Sequence, residues 1–110
     1  MKEKKKITEN GKTTEFYEGG SIASVAEVDE NGVAHGVCKV YYKNGAQWAV
    51  GKNVHGKMDG EWKWWKDDGT IWQTGNFKDS VKHGSWIRYK DGKIEKEMMF
   101  SEGKEVKKKK

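Results

Sequence analysis

Gly36, Gly60 and Gly84 stand 24 residues apart, and Gly11 stands 25 before Gly36. A fixed period of this length marks a repeat array, in which each unit is one supersecondary element stacked on the next. A second glycine follows each start after nine residues at Gly20, Gly45 and Gly69, and after eight at Gly92. A third set, Gly32, Gly56 and Gly103, recurs with Ser80 in the matching place. The chain therefore divides into four like units, about residues 11–35, 36–59, 60–83 and 84–106.

Each unit reads as two short strands. The first runs from the start glycine, as in Gly60-Glu-Trp-Lys-Trp-Trp65, and ends at Lys43-Asn44-Gly45, Asp67-Asp68-Gly69 or Asp91-Gly92. Asn-Gly and Asp-Gly between apolar runs are strong hairpin signals, because glycine accepts the positive φ of the turn. The second strand follows, as in Thr70-Ile-Trp-Gln-Thr-Gly-Asn-Phe77, and a further glycine-bounded turn leads to the next unit. There is no proline to interrupt the ladders. Only 34% of residues are hydrophobic and 35% are charged, a composition that by itself would suggest disorder. The aromatics recur at the repeat spacing, which favours a thin, regular sheet instead. The expected fold is all-β: a single-layer antiparallel meander of four repeated hairpins over residues 7–106, with basic tails at 1–6 and 107–110.

The pattern resembles the bacterial variant of the MORN repeat, carried here by Phe77-x-x-Ser-x-x-His-Gly-x-Trp-x-x-Tyr89-x-Asp-Gly92 and repeated in phase four times. Thr13 and Cys38 depart from the usual Trp, and Ser80 from the usual Gly. The resemblance implies the open meander and a non-catalytic role in scaffolding, self-association or membrane-proximal binding. Some bacterial members carry antitoxin labels, so an antitoxin- or immunity-like role is among the implications. An aromatic-glycine cell-wall repeat that binds choline or glucans is a rival, but its units are shorter and lack the His-Gly step at His35-Gly36 and His83-Gly84.

Side chains alternate across a strand, so pairing assigns faces. Three-residue loops in the first three units and a two-residue loop at Asp91-Gly92 pair Phe16 with Ile22, Tyr41 with Gln47, Trp65 with Ile71, and Tyr89 with Ile94. This aromatic–aliphatic stripe, extended by Val28, Phe77 and Phe100, is the expected structural face. The opposite face is expected to pair Val40 with Trp48, Trp64 with Trp72, and Arg88 with Glu95. Cys38, Val40, Trp48, Val50, Trp62, Trp64 and Trp72 then form one central apolar patch with polar ends. Two readings of that patch stay open. Its rings fold onto one another as core, or they form a surface for a protein partner or a second copy. Trp62 shares its repeat position with Trp86, which favours a structural role for Trp62.

Charge and chemistry narrow the function. Of the net charge of +5, residues 1–6 hold +3 and residues 104–110 hold +4, leaving −2 on residues 7–103. No basic face for nucleic acid is visible on the body. Weak attraction of the tails to anionic lipid is the alternative function, although eight strands would separate the tails by about 34 Å. His35 and His83, two units apart, would lie about 19 Å from one another and cannot share one ion. No phosphate loop, His-Glu-x-x-His or nucleophile elbow is present, and Cys38 lies on a sheet face rather than at an activating helix start. The expectation is a non-enzymatic protein-binding or self-associating module without metal or cofactor. As it stands the sequence has neither a secretory h-region nor an apolar run of membrane length, which fits a cytoplasmic setting.

Overall fold

The computed structural model describes residues 5–106. The expected tails lie outside the described residues at 1–4 and 107–110. Eleven strands form one antiparallel sheet: β1 (Lys6–Glu9), β2 (Lys12–Phe16), β3 (Ile22–Val28), β4 (Ala34–Tyr41), β5 (Gln47–Val54), β6 (Lys57–Trp65), β7 (Ile71–Lys78), β8 (Val81–Lys82), β9 (Gly84–Lys90), β10 (Lys93–Ser101) and β11 (Lys104–Glu105). Their order follows the chain from β1 to β11, with β8 a short branch on β7. The eight expected strands are β2–β7, β9 and β10. The sheet also gains β1, which begins at Lys6 inside the segment expected as tail, and β11, which starts beyond the last full hairpin.

The turns follow from their residues. In the first three units the backbone N–H groups of Tyr17, Tyr42 and Lys66 donate to the carbonyls of Ser21, Ala46 and Thr70, while Gly20, Gly45 and Gly69 N–H groups point back to Tyr17, Tyr42 and Lys66. These are three-residue hairpins with a left-handed glycine last. In the fourth unit Lys90 pairs directly with Lys93, and both Asp91 (φ 54°) and Gly92 (φ 78°) take the positive φ of a two-residue turn.

The pairs Phe16–Ile22, Tyr41–Gln47, Trp65–Ile71 and Tyr89–Ile94 all form as expected. One residue further on, every unit has a bulge. Glu15 pairs with Ser24, Val40 with Ala49, Trp64 with Gln73, and Arg88 with Lys96. Ala23, Trp48, Trp72 and Glu95 are the extra residues. A bulge inserts one residue into a strand and so inverts the alternation beyond it. The expected pairs Val40–Trp48, Trp64–Trp72 and Arg88–Glu95 are therefore replaced. Phe77 and Phe100 move off the stripe and onto the face of Trp62 and Trp86. Val28, beyond the bulge of β3, changes face with them. Val50 moves the other way, opposite Lys39 and Lys63.

These shifts relocate the core. Ile22 and Ile94 of the stripe are 42% and 54% exposed, whereas Trp62 and Trp86 are each 4% exposed on the opposite face, beside buried Ala49. The two indoles are held alike. Trp62 lies on Gly51 and Trp86 on Gly75, so closely that a methyl at either glycine would fall inside the ring. Their Nε1–H groups donate to the carbonyls of Lys52 (3.1 Å) and Asn76 (2.9 Å). Phe77 stands edge-on to both indoles, Trp64 stacks on Trp86 at 5.5 Å, and Phe100 closes the row edge-on to Trp86. Lys82 Nζ sits 4.6 Å from the Trp86 ring centre, laying its stem over the apolar row. In the first two units Thr13 and Cys38 occupy the Trp position, so this row spans only the later half of the sheet.

Two Asp turns give a pH dependence. Asp29 is held below its ordinary value chiefly by the Val33 N–H, and Asp68 chiefly by the Thr70 hydroxyl and then its N–H. A carboxylate favoured by the fold stabilises it above the unfolded value of about 3.9 and loses that contribution as pH falls through the lower folded value. The thermal midpoint is expected to fall below about pH 4. Asp29→Ala with Asp68→Ala should make that fall shallower, as circular-dichroism melts across the acid range would show.

Candidate functional site: the aromatic turn edge

The expected central patch separates into three parts. Trp62 is core. Val40 and Trp64 remain on the indole face and are half-buried, opposite Ala49 and Gln73. Val50 lies on the other face. Trp48 and Trp72 sit at the bulges next to the hairpin turns and stay 39% and 37% exposed.

The edge they occupy is ordered by hydrogen bonds that repeat from unit to unit. Tyr17 Oη donates to the Tyr41 carbonyl (2.6 Å), and Tyr42 Oη donates to the Trp65 carbonyl (2.8 Å). Ser21 Oγ reaches the Lys43 carbonyl (3.2 Å), and Asn44 Nδ2 reaches that of Asp67 (3.4 Å). The first hairpin turn is thus tied to the second and the second to the third, and Tyr42 is fixed with its ring against Trp48, 6.1 Å between centres. On the other side Tyr42 joins Trp72, Lys66 and Asp67 in lining a shallow depression. The phenol of Tyr42 is pushed up by desolvation and then by the negative charges of Asp67 and Asp68.

Tyr42, Lys66 and Asp67 were not among the expected site residues. The signal for Tyr42 is its place 25 residues after Tyr17, a second aromatic register beside that of Phe16 and Tyr41. The positions equivalent to Trp48 and Trp72 in the end units are Ala23 and Glu95, so the exposed indoles belong to the middle units alone.

Elsewhere the chemistry is sparse. Among the described residues no group of three or more His, Cys, Asp or Glu could hold a metal ion. His35 and His55 approach each other at 4.9 Å between ring centres, but His35 Nδ1 already accepts the His55 backbone N–H (3.2 Å). His83 Nδ1 accepts the Glu102 N–H at the matching place, 3.4 Å away. Burial, and then Glu15, push the Cys38 thiol up, which disfavours the thiolate a nucleophile needs. No helix of the described residues is long and apolar enough to cross a membrane.

The family-model match agrees with the architecture. No curated protein matches the chain. Residues 58–79 match the family model of the MORN repeat variant. That segment covers most of β6, its hairpin turn and β7, including Trp62, Gly75 and Phe77. Residues 58–79 are therefore similar to the MORN repeat variant, within an open antiparallel meander consistent with such repeats.

Proposed function

We propose that the protein is a non-enzymatic binding module whose aromatic turn edge, Trp48, Tyr42 and Trp72, docks a partner protein. The observation that carries this reading is the pair of exposed indoles at equivalent bulge positions in the two middle units, where the end units have Ala and Glu. Bulges commonly re-aim side chains at functional places, and exposed Trp and Tyr within a polar rim are usual interface anchors. Asp67 and Lys66 supply the rim here. An antitoxin-like role is one form such a module takes, with a toxin as the partner.

Affinity capture from the native host, quantified for wild type and for Trp48→Ser and Trp72→Ser, tests the reading. An interface anchor of this kind is worth about 2 kcal/mol or more, so each variant should weaken capture of the specific partner by roughly thirtyfold while the circular-dichroism spectrum is unchanged. Equal capture by folded variants would refute it.

A further inference from the structure

The two edges of the sheet differ in how they are covered. The outer edge of β2 is paired along its length by β1, with Lys6 opposite Glu15, Ile7 opposite Thr14, Thr8 opposite Thr13 and Glu9 opposite Lys12. Among the described residues, the outer edge of β10 is paired only at Phe100 and Ser101 by β11, with one further bond from Val106 N–H to the Met99 carbonyl. From Lys93 to Met98 that edge carries no described strand.

Inside the sheet, the second strand of each unit joins the first strand of the next in a constant register. Ser24 meets Val40, Ala49 meets Trp64 and Gln73 meets Arg88. Carried one unit past β10, this register sets Lys96 opposite Glu15 of a second copy, Glu97 opposite its Thr14, and Met98 opposite its Thr13. The charges are complementary at the first of these pairs. The sizes are complementary at the last. In the middle of the sheet a glycine receives the next strand's indole, Gly51 under Trp62 and Gly75 under Trp86. At the ends the sizes reverse: Met98 holds the glycine position and Thr13 the indole position. Strand β1 imitates the same partner, since Lys6 stands where Lys96 would.

We propose that the β10 edge and the β2 edge are the two halves of a head-to-tail junction between copies of this chain, and that β1 closes it by occupying β2 within its own chain. A two-residue turn, Asn10-Gly11, ties β1 to β2, so β1 competes at an effective concentration in the millimolar range and prevails while it is folded. Once β1 is displaced, repetition of one heterologous contact extends the sheet without closing it. A two-fold pairing of β10 with itself does not fit the edge. Its possible centres at Glu95, Lys96 or Glu97 set like charges against each other. The junction is independent of the aromatic turn edge, so Trp48→Ser with Trp72→Ser leaves it unchanged.

Sedimentation velocity on the full chain tests the proposal. Lys5 accepts the Phe16 N–H (2.9 Å), so by antiparallel alternation Ile7 is in a hydrogen-bonded pair with Thr14, and Ile7→Pro removes that donor. Gly11→Val, at a φ of 74°, displaces β1 by a separate route, through the turn. Either variant is expected to form species that grow with concentration, where the wild type does not. Adding Lys96→Glu should weaken this association by about tenfold, and adding Glu15→Lys to that should restore it. The first reversal is benign within the monomer, where Lys96 faces Arg88. Folded variants that sediment as the wild type does, association that ignores Lys96→Glu, or failure of Glu15→Lys to restore it would each overturn the proposal.

Discussion

Trp86→Ala is expected to lower the free energy of unfolding by about 3–5 kcal/mol. The indole is 4% exposed in a sheet that has no large side chain fully buried among the described residues. It stacks on Trp64, meets the edges of Phe77 and Phe100, and satisfies the Asn76 carbonyl. Total stabilities of domains are about 5–15 kcal/mol, so one side chain supplies a large share. Urea unfolding followed by far-ultraviolet circular dichroism reads the loss. Trp62→Ala should behave alike, because Trp62 likewise lies on a glycine, Gly51, and has an equivalent carbonyl partner in Lys52.

Gly75→Ala should destabilise by about 1–3 kcal/mol or more, through overpacking rather than through loss of a contact. The new methyl would coincide with the Trp86 ring, and the backbone strand beneath cannot move without breaking its pairing with Trp62. The same substitution in a Trp86→Ala background should be neutral or stabilising. The clash is gone there, and alanine loses less backbone entropy than glycine by roughly 0.5–1 kcal/mol. A double-mutant cycle measures this coupling. Additive losses would mean that Gly75 is retained for some reason other than the indole above it.

This glycine–indole pairing explains why the fold was easier to read than its faces. Glycine spacing fixed four hairpins, and the turn residues fixed both loop lengths, so the four pairs nearest the turns came out in register. Beyond them the bulge residues carry no common compositional mark: Ala23 and Glu95 share nothing with each other or with Trp48 and Trp72. One inserted residue reverses every later side chain, which is why Phe77 and Phe100 joined the indoles and Val50 left them. The available signal was Gly51 and Gly75 in mid-strand, where glycine often marks a bulge or a close approach. Each lies 11 residues before a buried Trp. Strand β1 was hidden for a different reason. Asn10-Gly11 is a strong hairpin signal, but only Ile7 before it is strongly apolar, and its strand is held by backbone pairing and the Thr8–Thr13 hydroxyl contact (2.8 Å) instead of by burial.

Four of the six tryptophans thus fall into two kinds. Trp62 and Trp86 lie over glycines and hold the sheet. Trp48 and Trp72 stand at bulges on the turn edge, where the fold asks little of them. Equilibrium urea unfolding of the Trp48→Ser/Trp72→Ser double variant tests this division most directly. Half-exposed rings at an edge predict an unfolding free energy within about 1 kcal/mol of wild type. A loss of about 3–5 kcal/mol, the scale set by a buried indole, would make those rings core and leave the turn edge without its proposed docking role.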